Sequence, residues 1–288
     1  MDWLFEPGLW SSGPVRTALL VGAVVAITSG VVGVFTVVRG QSFAGHSLAD
    51  VATTGGSGAF LIGVNQFWGF LVAGVLAASV MELIGVQRRR GRDVTTGVVL
   101  GASLGLAALF LYLATQRTST TGASFTILFG SMFVISSSTV PALIVSGAIA
   151  LVVIGVLARM LLISSLSPDL AAARGVNVRL LGVAYLAALA ISVSLSAVVI
   201  GAVLSTALLI GPAAAGLRMA RSPARAMAAS AVIGVAATWI GVVLAYDSYY
   251  WPPHGHGWPV SFFVVVLVIL AYLATYLRRP AERRPRVL

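Results

Sequence analysis

The residues best suited to chemistry are an imidazole and a carboxylate four positions apart, in the run Gly45-His46-Ser47-Leu48-Ala49-Asp50. On a helix, positions i and i+4 share a face and lie about 6 Å apart along the axis. The surrounding sequence reads as a membrane span, where a charged side chain costs roughly 3 kcal/mol or more unless a partner or water accompanies it. A neutral imidazole beside a carboxylate is a ligand pair for a divalent transition metal. It also makes a local hydrogen bond that merely satisfies both groups. These two residues alone leave both readings open.

A second candidate is the segment from Asp247 to Trp258, which holds His254 and His256 among Tyr249, Tyr250, Trp251 and Trp258. Its donors suit a metal-capturing mouth or a docking rim. Its aromatic rings equally suit an interfacial belt with solvated histidines. Other chemistry is excluded. The chain has no cysteine, so thiolate sites and disulfides are absent. It has no GxxxxGK[ST] phosphate loop and no room for a soluble catalytic domain. The expected role is non-enzymatic, with no cofactor held by the chain.

The elements that must position these groups are apolar. Only 9% of the 288 residues are charged, against about 25% in a soluble domain, and mean hydropathy is +1.01. The net charge of +10 comes from arginine without lysine, a positive-inside pattern that calls for membrane lipid rather than nucleic acid as its partner. Apolar runs begin near Val15, Phe43, Phe67, Val94, Pro141, Ala226 and Val260. The uncharged stretch between Arg179 and Arg218 is too long for one crossing, so it should go out and return, turning near Ser194 to Ser196, with Pro212 kinking the return leg.

The expected fold is all-α, a polytopic transmembrane bundle of eight to nine spans. Residues 1–279 form the membrane domain and 280–288 a basic cytoplasmic tail. Phe125 to Val134 is too short to cross and reads as an outer half-helix. Thr53 to Gly58 and Gly101-x-x-x-Gly105 read as close helix contacts. Glu82 is expected to pair with the Arg88–Arg92 cluster, and Asp93 to cap the helix that follows. In the loop Ser167 to Asn177, proline at the first turn, Asp169 near the start and Gly175 at the end predict a short capped helix.

Taken in order, these segments resemble the membrane permeases of bacterial ATP-binding-cassette importers for manganese, zinc and iron. Arg39 to Asp50 stands where that family has an arginine stop followed by S-L-x-G-D-A-L-S-H. Leu166 to Val176 is similar to F-D-P-E-x-A-x-x-x-G-I, Gly201 to Ala214 to G-x-L-L-V-x-A-L-L-I-x-P-A-A, and Phe129-Gly130-Ser131 to F-G-S. The resemblance implies a type II importer-like permease in the bacterial cytoplasmic membrane, multi-pass, with a cytoplasmic C-terminus. It implies a second permease copy, two cytoplasmic ATPase subunits that hold the ATP, and an extracytoplasmic metal-binding protein.

His46 and Asp50 would then contact the transported manganese, zinc or iron. Pro168, Asp169, Ala171, Arg174 and Gly175 would couple to the ATPase. Two departures stand out: histidine and aspartate are exchanged in the first motif, and Ser167 replaces aspartate in the second. The competing readings are an importer of metal chelates and a carrier driven by an ion gradient.

Overall fold

A computed structural model describes residues 9–83, 92–118, 122–130, 132–251, 255 and 257–277. Among these residues every regular element is helical. They are α1 (Gly13–Val38), α2 (Ser42–Leu61), α3 (Gln66–Leu83), α4 (Arg92–Thr118), α5 (Gly122–Phe129), α6 (Val140–Leu166), α7 (Pro168–Ala173), α8 (Val178–Ile200), α9 (Ser205–Met219), α10 (Pro223–Ser248) and α11 (Val260–Leu277). A 3-10 turn at Met132–Val134 follows α5. Five helices, α1, α6, α8, α10 and α11, are long and apolar enough to cross a membrane. Arg39, Arg174, Arg179, Arg218, Arg221 and Arg225 gather where α1, α6 and α9 end and α8 and α10 begin. The Arg88–Arg92 cluster as a pairing partner, the Asp93 side chain and the 280–288 tail lie outside the described residues.

Helix α8 is the hub, packing against α1, α2, α3, α6 and α9. Its centre holds Leu189, Val193 and Leu195, all fully buried. Ser192, Ser194 and Ser196 are buried there too. The Ser29 and Ser196 hydroxyls lie 2.7 Å apart, and Ser194 Oγ donates to the Phe70 carbonyl at 2.9 Å. The expected turn near Ser194 to Ser196 is therefore wrong. These serines satisfy their hydroxyls within and between helices, as water-poor packing requires. The chain reverses instead over residues 201–204, opened by Gly201 at φ 95°, a conformation open to glycine.

The outer half-helix is also shorter than expected. It stops at Phe129 because Gly130 turns the backbone at φ 79°. The α8–α9 reversal then donates backbone N–H groups from Ala202 and Val203 to the carbonyls of Ile127 and Leu128, at 3.1 and 3.3 Å. Those carbonyls belong to the unsatisfied last turn of α5, so the two chain breaks cap each other.

The small residues of α2 serve packing, as expected. A Cβ placed on Gly55 would come 2.3 Å from the Gly69 carbonyl oxygen, and one on Gly56 would strike the Phe70 ring. By contrast, a Cβ on Gly101 or Gly105 would meet nothing within 4 Å. Among the described residues the GxxxG pattern in α4 therefore makes no close contact.

Gly55→Ala should lower the stability of the detergent-solubilised protein by about 1–3 kcal/mol through overpacking. Gly155→Ala, on an open face of α6, should be neutral or raise it by about 0.5–1 kcal/mol. Thermal melts of the two variants beside the parent check both outcomes.

Candidate functional site

Helix α2 carries both members of the pair. His46 Nε2 and Asp50 Oδ2 lie 3.7 Å apart, one helical turn from each other. That separation is too long for a hydrogen bond, so the two groups are adjacent but do not saturate each other. The imidazole side chain is 49% exposed and the carboxylate 12%. Neighbouring positions explain the difference. Gly45 packs against Leu209 of α9, and Leu48 and Ala49 are fully buried, so this side of α2 faces the core. Phe43 and His46 turn outward from the chain.

Further along the same stripe Thr54 Oγ1 donates to the Ser103 carbonyl of α4 at 2.7 Å, and Phe110 of α4 lies against Gly58. Helix α4 thus lies along the second half of α2. Among the described residues no group of three or more His, Cys, Asp or Glu side chains converges, so one chain presents two donors.

Helix α7 matches its sequence signals closely but is shorter than the 168–177 stretch. Ser167 Oγ accepts from Leu170 N at 3.2 Å, an N-cap contact with Pro168 in the first turn. At the other end Gly175, at φ 77°, donates from its backbone to Ala172, and Val176 to Ala171. This is the glycine-closed helix end of a Schellman turn. Serine at this position thus supplies the capping contact itself. Asn177 caps α8 in turn, accepting from Leu180 N at 3.1 Å. Pro168, Asp169, Arg174 and Gly175 are exposed and present one polar knob. Ala171 is fully buried, so its methyl points inward and anchors α7 against the rest of the chain.

At the opposite end lies Asp247, which the sequence placed at an external mouth with His254 and His256. Its side chain is fully buried at the end of α10, where the neighbouring Ser248 Oγ accepts from Trp258 N at 2.8 Å. His254 and His256 lie outside the described residues. An open cavity of about 400 Å³ does occur at this end, lined in part by Asn65, Gln66, Thr126, Ser136 and Thr139.

Sequence reasoning also missed a polar cluster at the arginine-rich end, built on Arg39 and Tyr185. Arg39 was legible only as a stop signal, and nothing in its spacing announced a partner 125 residues away. Glu82, expected to pair with the arginine cluster that follows it, is buried and interacts favourably with Arg39.

Against known proteins, the profile of the ABC 3 transport family matches residues 13–277. The chain is 30% identical over 244 residues to the manganese import system permease protein ScaB of Streptococcus parasanguinis, covering 84% of this chain and 85% of that one. It is 26% identical over 237 residues to the high-affinity zinc uptake system membrane protein ZnuB of Haemophilus influenzae, covering 80% and 88%. Among solved structures it superposes on PsaBC from Streptococcus pneumoniae in complex with Fab, with a TM-score of 0.81, 26% identity and 96% of each chain covered.

Ser167→Ala should remove the α7 cap, costing about 1 kcal/mol locally, whereas Ser167→Asp should be close to neutral because aspartate caps as well. Hydrogen exchange at the Leu170 amide distinguishes them, faster in the alanine variant and unchanged in the aspartate variant.

Proposed function

The chain belongs to the ABC 3 transport family, and we propose from that membership that it is the permease subunit of an ATP-driven importer moving a divalent transition-metal ion across the cytoplasmic membrane. One observation carries the role of the site. His46 stands half-exposed, 3.7 Å from Asp50, on the outward side of a membrane-embedded helix. An imidazole facing hydrocarbon there would be costly. The face therefore needs a second protein surface and a polar path, and a second copy of the permease supplies both. Two-fold symmetry would bring His46 and Asp50 twice to one axis, giving two nitrogen and two oxygen donors.

Such a set fits a manganese or zinc ion, the substrates named for the relatives, and suits ferrous iron by the same chemistry. Four donors complete a tetrahedral zinc shell but leave manganese, which prefers about six, with room for water or substrate exchange. Loose coordination favours release, which a conducting site requires. The exchanged order of the two residues keeps both donor types on one face and moves each by one turn.

The helix ends support nine crossings, with the arginine-rich end in the cytoplasm, the N-terminal end outside and the C-terminal end inside. In that orientation α7 is cytoplasmic, and its exposed Pro168, Asp169, Arg174 and Gly175 form the knob that docks into an ATPase subunit. Two such subunits, one per permease copy, hold the ATP. An extracytoplasmic metal-binding protein delivers the ion at the opposite end. Closure of the ATPase pair pushes a rigid, doubly capped helix and tilts α6 and α8, to which it is joined by one and four residues.

His46→Ala and Asp50→Ala should each reduce manganese or zinc uptake into proteoliposomes by about tenfold or more, with dimer assembly on size-exclusion chromatography unchanged. Wild-type uptake in both variants would overturn the site. Replacing Pro168–Arg174 by a flexible linker should abolish retention of the ATPase subunit in a pull-down while leaving the membrane domain folded.

A further inference from the structure

We propose that Arg39 is a positioning residue that couples the ATPase-facing helix α7 to the metal-bearing helix α2. The inference rests on the preceding reading of α7 and of His46. Its basis is a set of contacts that neither the family membership nor the metal site requires.

Arg39 is the last residue of the α1 end, three positions before α2 begins and seven before His46. Its Nη1 donates to Ser164 Oγ at 2.8 Å and lies 3.5 Å from the Leu161 carbonyl oxygen, both in the last turns of α6. Ser164 is three residues before Ser167, the N-cap of α7. The guanidinium also lies over the Tyr185 ring, 5.0 Å from its centroid. Tyr185 belongs to α8, the helix that leaves α7, and its hydroxyl donates to Thr36 Oγ1 of α1 at 3.0 Å.

One side chain therefore touches the helix entering α7 and the helix leaving it, and it is fastened at the start of α2. Glu82, buried at the end of α3, adds an attractive charge to the same group. Helix α3 in turn packs along α2 through the Gly55–Gly69 approach.

The chemistry of the clasp is specific to arginine. A planar guanidinium can stack on a ring while its edge donates hydrogen bonds, which a lysine ammonium cannot do in the same geometry. The anchoring is also tight where it matters for α2. The Gln41 amide donates to the Thr36 carbonyl, and the Gly45 amide to the Gln41 carbonyl, at 2.9 and 3.1 Å. The Arg39–Gly40–Gln41 link thus has little slack. A displacement of α6 and α8 at α7 pulls on Arg39, and through this short link it rotates or shifts the first turns of α2. Those turns carry His46 and Asp50. The clasp makes metal release depend on the position of α7.

The test uses the assembled complex of this chain with its ATPase subunits in proteoliposomes, supplied with its binding protein and manganese. The readout is the number of ions delivered per ATP hydrolysed. Arg39→Lys keeps the charge facing Glu82, and Ser164→Ala removes one acceptor without touching Arg39. Arg39→Lys should lower the ratio by about threefold to tenfold and Ser164→Ala by about twofold, the range of a broken coupling contact. ATP hydrolysis and ATPase retention should stay near wild type.

An unchanged ratio in both variants would overturn the role. So would transport, hydrolysis and ATPase retention falling in step, since that is what a purely structural contact produces. Failure of the underlying reading is separable. Wild-type transport by His46→Ala condemns the metal route whatever the clasp variants do. An inactive His46→Ala beside a fully coupled Arg39→Lys leaves the route standing and removes the clasp from it.

Discussion

Inside a bilayer, water does not supply the missing hydrogen bond, and that constraint organises this molecule more than any other. Backbone groups meet it by being helical, and side chains must meet it with one another. The polar residues of the interior do so nearly throughout. Ser29, Ser192 and Ser196 share their hydroxyls between α1 and α8, Ser194 reaches the Phe70 carbonyl, and Ser230 reaches the Gly30 carbonyl. Where helices break, the orphan carbonyls of α5 accept from the α8–α9 reversal. Against that background the half-exposed His46 is conspicuous, because the described residues give it only a carboxylate at 3.7 Å.

The same constraint explains how the helices approach. Without water to drive apolar surfaces together, association depends on close van der Waals contact, which glycine permits. Gly33 meets the Leu209 carbonyl, Gly55 meets Gly69, and Gly130 meets Gly201. These contacts hold α1 against α9, α2 against α3, and the outer half-helix against the α8–α9 break. They leave the His46 turn of α2 as an edge of the chain. A rigid scaffold with one polar edge is what a symmetric partner would need in order to build a passage at the seam.

The two ends of the bundle are built differently. At one end, Arg39, Tyr185, Ser164 and Thr36 tie α1, α6 and α8 together beside the capped α7, so a push there meets a connected lever. At the other, Asn65 of the α2–α3 connection donates to Thr139 at the start of α6, and Arg117 donates to the Leu61 carbonyl that closes α2. Those outer contacts are single hydrogen bonds around an open cavity.

Much of this was legible in one dimension. Apolar run length marks the long helices, because crossing hydrocarbon demands about 20 apolar residues however they pack. The caps of α7 were legible for the same local reason: Ser167, Pro168 and Gly175 act on neighbours within four residues. The i, i+4 spacing placed His46 and Asp50 on one face. What the sequence could not decide was which partners lay across the bundle. Ser194 to Ser196 looked like a turn because their bonding partners, Phe70 and Ser29, are more than 100 residues away. Gly101 and Gly105 looked like a contact, and Asp247 like an exposed group, before the neighbouring helices were known. Arg39 read as a stop signal until folding brought Ser164 and Tyr185 to it. Local hydrogen bonding and transfer from water are properties of short segments, and the chain's own order determined them. The pairing of distant polar groups depends on which helices become neighbours, and only the tertiary structure decided that.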